Sequence, residues 1–232
     1  MKILAIDTAS DACSAALGDE NSLISRFDLA PRQQAQRVLP MVKTLLAEAG
    51  WRLQDLDALA FGRGPGSFTG VRVAASVAQG LAFGADLGVI PVSNLATLAQ
   101  GEIQQSGRDG VVVAVDARMS ELYFAAFRAN GEGLAERVGE EHLLPPEAVS
   151  LAVDHLPADQ DWYGVGSGWS VYRESFPETV TDRLIAVEGD RLPDAYHMMP
   201  LAVAQWQQSG TLPPEQAIPV YLRDQVAWKG GR

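Results

Sequence analysis

The sequence repeats itself, and this internal repeat restricts the possible folds more than any other feature. Residues 3–17 and 112–126 align at an offset of 109 positions. In both segments an apolar strand ends in an aspartate, Asp7 and Asp116, and a turn and a second alternating strand follow. A third extended segment comes next in each half. We therefore expect two similar halves, each opening with a three-stranded antiparallel meander.

Helices and further strands follow the first meander. The spacing of apolar residues predicts a helix over residues 31–49, which Gly50 would end and which Pro40 would kink or shift. A short apolar strand, a Gly-rich loop and a helix over residues 69–83 come next. Because strands and helices alternate after the meander, we expect an α/β fold in which each half is a mixed sheet with flanking helices.

The boundary between the halves is expected in the stretch 99–110, which is polar, contains glycine and lacks periodicity. The predicted domains are residues 1–103 and residues 104–210, of which the second is smaller and acidic. The C-terminal segment 211–232 is a candidate to complete the first domain. No low-complexity linker separates the halves, so we expect them to pack against each other.

Acidic side chains are concentrated in the second half of the chain. The formal net charge is −11. Residues 1–100 carry 8 basic and 9 acidic side chains, whereas residues 101–232 carry 10 and 20. Affinity for nucleic acid comes mainly from cations that neutralise phosphates, so this balance disfavours direct binding of RNA. We expect any role on nucleic acid to be indirect.

The sequence also lacks the features of an exported or membrane protein. Nowhere do about 18 apolar residues follow one another, and the opening apolar stretch is too short for a signal peptide. The single cysteine, Cys13, lies in an alternating segment and is expected to be a buried strand thiol rather than a nucleophile. We expect a cytoplasmic protein without an internal disulfide.

Two halves that each place an aspartate after the first strand resemble the actin-like ATPases and sugar kinases, which have ribonuclease-H-like domains. In that superfamily the first hairpin of each domain grips the nucleotide phosphates. Such a grip needs glycines for close backbone approach and small hydroxyl side chains. The first hairpin here offers Thr8 and Ser10 but no glycine, and the second offers the bulky Arg118 and Met119. The resemblance therefore implies an actin-like fold with degraded phosphate grips.

The Gly-rich loop, residues 61–72, is another candidate for a phosphate site. It lacks the Gly-Lys-Ser/Thr of a Walker A loop and the full Gly-x-Gly-x-x-Gly spacing of a dinucleotide site. Ser67 or Thr69 can cap the following helix without any ligand, so a structural turn is favoured and a phosphate site stays the alternative. The residues that would form such a degraded nucleotide site are Asp7, Thr8, Ser10, Arg63, Gly64, Gly66 and Ser67.

Neither metal binding nor catalysis has a clear set of residues. The three histidines, His142, His155 and His197, are scattered through the second half, and none has a His or carboxylate partner at helical spacing on a clear helical face. Residues 166–168 come near the pattern of a nucleophile elbow but are one position too tight. We predict no catalytic residues, no metal and no cofactor.

Several motifs together identify a family. They are ILAIDTA, GRGPGSFTGVR (residues 62–72), AQGLA (78–82), DARM (116–119) and the terminal PVYLR with VAWK. With these motifs distributed from its first residues to its last, the chain resembles the TsaB family, formerly YeaZ, which serves in threonylcarbamoyladenosine synthesis on bacterial tRNA. The long Gly loop is specific, whereas ILAIDT is shared by the whole actin-like superfamily.

The resemblance implies a protein without catalytic activity of its own. TsaB proteins are paralogues of TsaD, the enzyme that moves the threonylcarbamoyl group from its adenylate onto adenosine 37 of tRNAs reading codons that begin with A. Relatives of TsaD carry a metal-binding His-x-x-x-His pair on the first helix, where this chain has Gln33, Gln34 and Gln36. The resemblance thus implies an activating, non-catalytic subunit for TsaD.

The resemblance also implies partners. The helices at residues 31–49 and 69–83 would form a four-helix bundle with the matching pair of TsaD, or a homodimer through the same surface when TsaD is absent. The ATPase TsaE would join that complex, and tRNA would be contacted only indirectly. Both helices have more apolar residues than one packed stripe needs, which fits a partner surface or a deeply buried helix pair. The predicted partner-binding residues are Val38, Leu39, Val42, Lys43, Leu46, Val71, Arg72, Ala75 and Gln79.

Two other functions stay open from the sequence. One is an active ATP-dependent enzyme of the actin-like class that uses Asp7, Thr8, Ser10 and the Gly loop. The other, a metalloprotease, follows only from an old glycoprotease label on the superfamily.

Overall fold

The structure is a computed structural model that describes residues 1–153, 156–157 and 160–223. The strands of the first sheet are β1 (Ile3–Asp7), β2 (Ala12–Gly18), β3 (Leu23–Leu29), β4 (Ala58–Gly64) and β5 (Gly88–Ser93). They lie in the order β3-β2-β1-β4-β5. The strands β1 to β3 form an antiparallel meander, and β4 and β5 extend the sheet in parallel to β1. The predicted meander is therefore confirmed.

The second sheet repeats this arrangement. Its strands are β6 (Gly110–Asp116), β7 (Leu122–Ala129), β8 (Ala135–Leu144), β9 (Trp162–Val165) and β10 (Leu184–Glu188). They lie in the order β10-β9-β6-β7-β8. Again the first three strands form an antiparallel meander, and the last two add parallel to the first. The two five-stranded mixed sheets have the same topology, which confirms the predicted duplicated α/β fold.

Helices cover both sheets. They are α1 (Gln34–Ala49), α2 (Phe68–Ala85), α3 (Asn94–Ser106), α4 (Val149–Val153), α5 (Gly168–Val171), α6 (Glu178–Thr181) and α7 (Ala195–Ser209). α1 and α2 pack on one face of the first sheet, and α7 packs on its other face. α3 covers one face of the second sheet, and the short helices α4 to α6 cover the opposite face. Each sheet is thus buried between two helical layers.

The position of α7 bears on the domain boundaries. This helix follows the second sheet in sequence and falls within the predicted second domain, 104–210, yet Ala195, Met198 and Ala202 pack against the first sheet. The C-terminal segment also returns to the first sheet, where Leu212 pairs with Val89 of β5. The boundaries at 103 and 210 stay a prediction, and the packing of α7 favours placing it with the first sheet.

The stretch 99–110, predicted as an irregular boundary, is mostly helical. α3 begins at the N-cap Ser93 and ends at Gly107, which adopts the left-handed conformation with φ 67°. The helix looks polar because buried side chains serve as hydrogen-bond partners: Gln100 donates to Gly133 O and accepts from Ala135 N of β8. The expectation of irregular structure was wrong, because the hydrogen bonds from α3 to β8 cannot be read from the local pattern, while the domain boundary itself stays a prediction.

Local signals placed one end of each of the first two helices, whereas α1 starts at Gln34 rather than residue 31 and α2 ends at Ala85 rather than residue 83. Gly50 ends α1 in the left-handed conformation, and Pro40 lies inside the helix rather than at its start. α2 begins at Ser67, whose hydroxyl accepts a hydrogen bond from Gly70 N at 3.4 Å. Of the two predicted caps, Ser67 is the one used.

The lone thiol lies where the alternating pattern put it. Cys13 is fully buried on β2, and burial raises its pKa to about 12, so it stays protonated at neutral pH.

Among the described residues, no helix has both the length and the apolar character needed to cross a bilayer.

Candidate functional site

The Gly-rich loop between β4 and α2 closes directly onto the first hairpin. Ser67 N donates to Ala9 O at 2.7 Å, and Thr8 Oγ1 donates to Gly70 O at 2.7 Å. A Cβ added at Gly66 would lie 2.6 Å from Ala9 O, and one added at Gly70 would lie 2.0 Å from Thr8 O. The loop glycines are therefore needed for contact between two backbone segments of the chain itself.

Asp7 is bonded within the same closed arrangement. Its carboxylate, buried at the end of β1, accepts from Ala9 N at 2.9 Å and from the Asn94 amide. Asn94 in turn accepts from Gly64 N at 2.7 Å, so it joins the strand end to the Gly loop. Desolvation raises the pKa of Asp7 to about 7, with a further rise from Asp194, against the lowering by these hydrogen bonds. Asn94 was missed by sequence reasoning because nothing local marks it.

The other predicted nucleotide-site residues also have partners inside the chain. Ser10 Oγ accepts from Ala12 N at 3.1 Å. The Arg63 guanidinium donates to the Glu141 carboxylate of β8 at 3.1 Å. The structure thus brings Asp7, Thr8, Gly64, Gly66 and Ser67 together around the first hairpin, while Arg63 points to the second sheet.

The second hairpin is built differently. Asp116 accepts from Tyr172 OH at 2.8 Å and from Arg118 N at 2.8 Å. The turn itself carries three successive residues in the left-handed conformation, Arg118, Met119 and Ser120, at φ 63°, 57° and 60°. Their side chains occupy positions where a phosphate-binding turn would favour glycine.

The helix pair α1 and α2 divides the predicted partner-binding residues into two groups. Val38, Val42, Val71 and Ala75 are buried in the core of the chain itself. They are corrected to core residues, because the apolar spacing that suggested a surface also satisfies packing on the sheet. The residues that keep exposed area are Leu39, Lys43, Leu46, Arg72 and Gln79.

The exposed part of α1 forms one flank of that helix. Leu39 is 47% exposed, and Lys43 and Leu46 follow it at helical spacing. Glu48, on the opposite flank, forms an ion pair with Arg26 of β3. Since that flank faces β3, Leu39 lies on the side of α1 that faces α2.

The exposed face of α2 combines small and aromatic residues. Ser76, Gly80 and Gly84 face open space, and Phe83 is 80% exposed. At the start of the helix, the Arg72 guanidinium stacks 3.2 Å from the centroid of the Phe68 ring and 4.7 Å from that of Tyr221. Gln79 donates to Pro214 O at 3.3 Å. Phe68 and Phe83 were not predicted, although their position beside the small residues marks them.

The histidines do not converge. His142 lies on β8, His197 on α7 contacts Gln104 and Gln105, and His155 lies outside the described residues. Within the described part of the chain, no group of three or more His, Cys, Asp and Glu side chains is arranged to hold a metal ion.

Comparison with known proteins gives consistent matches. A family model described as "TsaD: tRNA N6-adenosine threonylcarbamoyltransferase" matches residues 28–230. The tRNA threonylcarbamoyladenosine biosynthesis protein TsaB of Escherichia coli is 44% identical over 230 residues, which cover 99% of this chain and 97% of the relative. The protein of the same name from Haemophilus influenzae is 41% identical and covers 99% and 96%.

A solved structure agrees with the sequence relatives. YeaZ from Pseudomonas aeruginosa superimposes with a TM-score of 0.88 at 44% identity, covering 95% of this chain and 99% of that one. Another structure from the same organism, which matches equally well, is described as similar to peptidase YEAZ. Since the matches to named relatives extend over nearly the whole of both chains, this protein belongs to the TsaB (YeaZ) family.

Proposed function

We propose that this protein is a non-catalytic activating subunit for TsaD in the formation of N6-threonylcarbamoyladenosine at position 37 of tRNAs reading codons that begin with A. The relatives named TsaB belong to the biosynthesis of that nucleoside. The observation that carries the proposal is the closure of the Gly loop on the first hairpin. Backbone N–H groups that could receive a phosphate there already donate within the chain: Ser67 N to Ala9 O, Ala9 N to Asp7 and Gly64 N to Asn94.

The surface that would reach TsaD is formed by α1 and α2. It combines the exposed Leu39 flank of α1 with the small outer residues Ser76, Gly80 and Gly84 of α2 and the exposed ring of Phe83. Small residues allow another helix to approach closely, and a neighbouring aromatic side chain supplies apolar area. In this proposal two helices of TsaD pack here as a four-helix bundle, and a second copy of this chain packs here when TsaD is absent.

The negative net charge of the chain fits a subunit that leaves contact with tRNA to its partner proteins. The net charge of −11 disfavours approach to a polyanion, so basic surface would come from the partners. The proposal includes TsaE as a third member of the complex and the cytoplasm as its location.

Reconstitution tests the activating role. TsaD, threonylcarbamoyl-adenylate and tRNA are incubated with and without this protein, and modified adenosine is quantified. We expect modification only when the protein is present. Equal modification in both reactions would refute the proposal, and ATP turnover by the isolated chain would favour the ATP-dependent enzyme instead.

A pair of variants on α1 tests the proposed surface. Leu39→Glu places a charge on the flank facing α2, whereas Thr44→Glu places the same charge on an exposed residue of the opposite flank. Burying an unpaired carboxylate costs several kcal/mol, so we expect Leu39→Glu to weaken binding to TsaD by about 100-fold or more. Thr44→Glu should bind TsaD as the parent does. Calorimetry gives both affinities for TsaD. Equal affinities would show that the Leu39 flank of α1 is not part of the binding surface.

A further inference from the structure

The two sheets are joined by a set of bonds beside the Gly loop. We propose that Arg63, Glu141 and residues 220–223 form an interdomain clamp, which fixes the angle between the sheets without any bound nucleotide. The proposal concerns the isolated chain and does not depend on the function proposed above.

The first part of the interdomain clamp is a buried carboxylate. Glu141 lies on β8 of the second sheet, and its side chain is only 4% exposed. It accepts from the Arg63 guanidinium at 3.1 Å and from the Ser93 hydroxyl, both of which lie at strand ends of the first sheet. A carboxylate removed from water needs such partners. Separating the sheets here would break both hydrogen bonds, so this contact is made in only one arrangement of the sheets.

The second part is the C-terminal segment. It starts on the first sheet, where Leu212 and Val89 exchange two backbone hydrogen bonds of 2.8 Å. Further along, Val220 N donates to Arg63 O at 2.7 Å. Gly64, at φ 105°, allows this approach, because a Cβ there would lie 2.8 Å from Val220 O. Arg63 therefore binds both parts of the clamp, one through its side chain and one through its backbone.

The same segment ends on the second sheet. The Arg223 guanidinium pairs with Glu121 at 2.6 Å and donates to Ala117 O at 3.2 Å, so it contacts the turn between β6 and β7. Its side chain is 18% exposed, which makes the pair less screened than one at the surface. Residues 220–223 thus connect the Gly loop, which closes on the first hairpin, to the second hairpin. The counterparts of these two hairpins grip the nucleotide phosphates in an actin-like ATPase.

The contact between α3 and α7 offers a hinge for the clamp to restrain. α3 packs on the second sheet and α7 on the first, and a Cβ added at Gly101 would lie 3.0 Å from the His197 ring. The side chains that meet near the end of α3 are polar, since His197 is hydrogen-bonded to Gln104 at 2.6 Å and to Gln105 at 3.1 Å. Ser93 and Glu141 meet at the other end of α3, about 16 Å along the helix axis.

Distance measurement between spin labels tests the interdomain clamp. Gln54→Cys and Glu174→Cys place labels at exposed positions next to the first and the second sheet, and the native Cys13 is too buried to react. In this labelled parent we expect one narrow distance distribution that ATP and Mg²⁺ leave unchanged. Adding Glu141→Gln and Arg223→Ala should broaden it by several ångströms. The matched control is Glu140→Gln, at a side chain 77% exposed, which should leave it narrow.

The proposal would be overturned by a broad distance distribution in the labelled parent. It would also be overturned if the distribution stayed narrow in the variant with Glu141→Gln and Arg223→Ala. A second measurement covers the case in which the double variant does not fold. Hydrogen exchange of the Val220 amide should accelerate at least about tenfold in the single variant Glu141→Gln and stay at the parent rate in Glu140→Gln. Because Glu141 does not contact Val220 directly in this arrangement, unchanged exchange would show that the two parts do not act together.

Discussion

In both sheets a glycine with positive φ follows or ends the fourth strand, but the two glycines pack against different neighbours. Gly64 at the end of β4 and Gly166 after β9 have φ values of 105° and 104°. A Cβ at Gly166 would lie 2.6 Å from Ala114 O of the adjacent β6, whereas Gly64 faces Val220 O of the C-terminal segment. The backbone conformation has been kept in both halves, and only the first turn has become part of a contact between the sheets.

The hairpins show a second difference. In the first half the turn is covered by the Gly loop, which approaches through Gly66 and Gly70. In the second half the turn is more open, since Met119 is 75% exposed, and non-glycine residues adopt the left-handed conformation there. The two equivalent turns therefore differ in packing and in backbone energy. The first is buried and depends on glycines of the loop that covers it, whereas the second is exposed and holds non-glycine residues in a costly conformation.

The largest expected effect concerns the glycine dependence of the first half. Gly70→Ala places a methyl group 2.0 Å from Thr8 O, so we expect a loss of about 4 kcal/mol or more in the free energy of unfolding. Gly80→Ala is the matched control on the same helix, because a Cβ there meets open space. It should raise stability by about 0.5–1 kcal/mol. Urea denaturation measures both, and similar stabilities would contradict the closed packing of the loop.

The burial of Asp7 predicts a pH dependence. Its pKa is raised from 3.8 to about 7, so folding favours the protonated acid. Its contribution to stability is complete below about pH 4 and is lost as pH rises to about 7, with an upper limit of roughly 4 kcal/mol. Asp7→Asn should remove this fall, which urea midpoints across the range detect. Asp116→Asn, at the equivalent position of the second half, should still lose stability over this pH range. If both variants lose it, the pH dependence comes from groups other than Asp7.

Introducing glycine into the strained turn of the second half should have a smaller effect, and it should stabilise the fold, whereas Gly70→Ala destabilises it. Ser120 has φ 60°, so Ser120→Gly should raise the free energy of unfolding by about 1 kcal/mol. The same substitution at Ser76, exposed inside α2, should lower it by about 0.5 kcal/mol. Thermal denaturation compares the two variants. A loss of stability in Ser120→Gly would mean that the turn is not strained.

The smallest expected effect lies between the sheets. Desolvation lowers the pKa of His197 below 6.5, with Asp194 opposing and Arg191 adding to the change. The neutral ring that donates from Nδ1 to Gln104 and accepts from Gln105 satisfies both neighbours. Stability from this group is present above the ordinary pKa and is lost as pH falls through the lowered one. NMR titration should therefore give a lower pKa in the folded than in the urea-unfolded chain; equal values would exclude this role.

Sequence reasoning succeeded where a signal is local. Strand alternation, the apolar spacing of α1 and α2, and the stop at Gly50 depend on a few neighbouring residues, and the structure contains all of them. It failed for α3, whose polar residues are explained only by Gln100 bonding to β8. It also assigned Val38 and Ala75 wrongly to a partner surface, although both are buried in the core, since a helix that is apolar over a wide arc fits either place.

By itself the sequence determined the duplicated α/β pattern and the family, because both are written in residue identity and spacing along the chain. The tertiary structure alone decided that Asp7 meets Asn94, that Arg63 reaches Glu141 and that the C-terminal segment joins both sheets. The physical reason is that these contacts link residues far apart in sequence. Their partners are selected by how the strands of the first sheet are ordered and by how the two sheets pack, which no local pattern encodes.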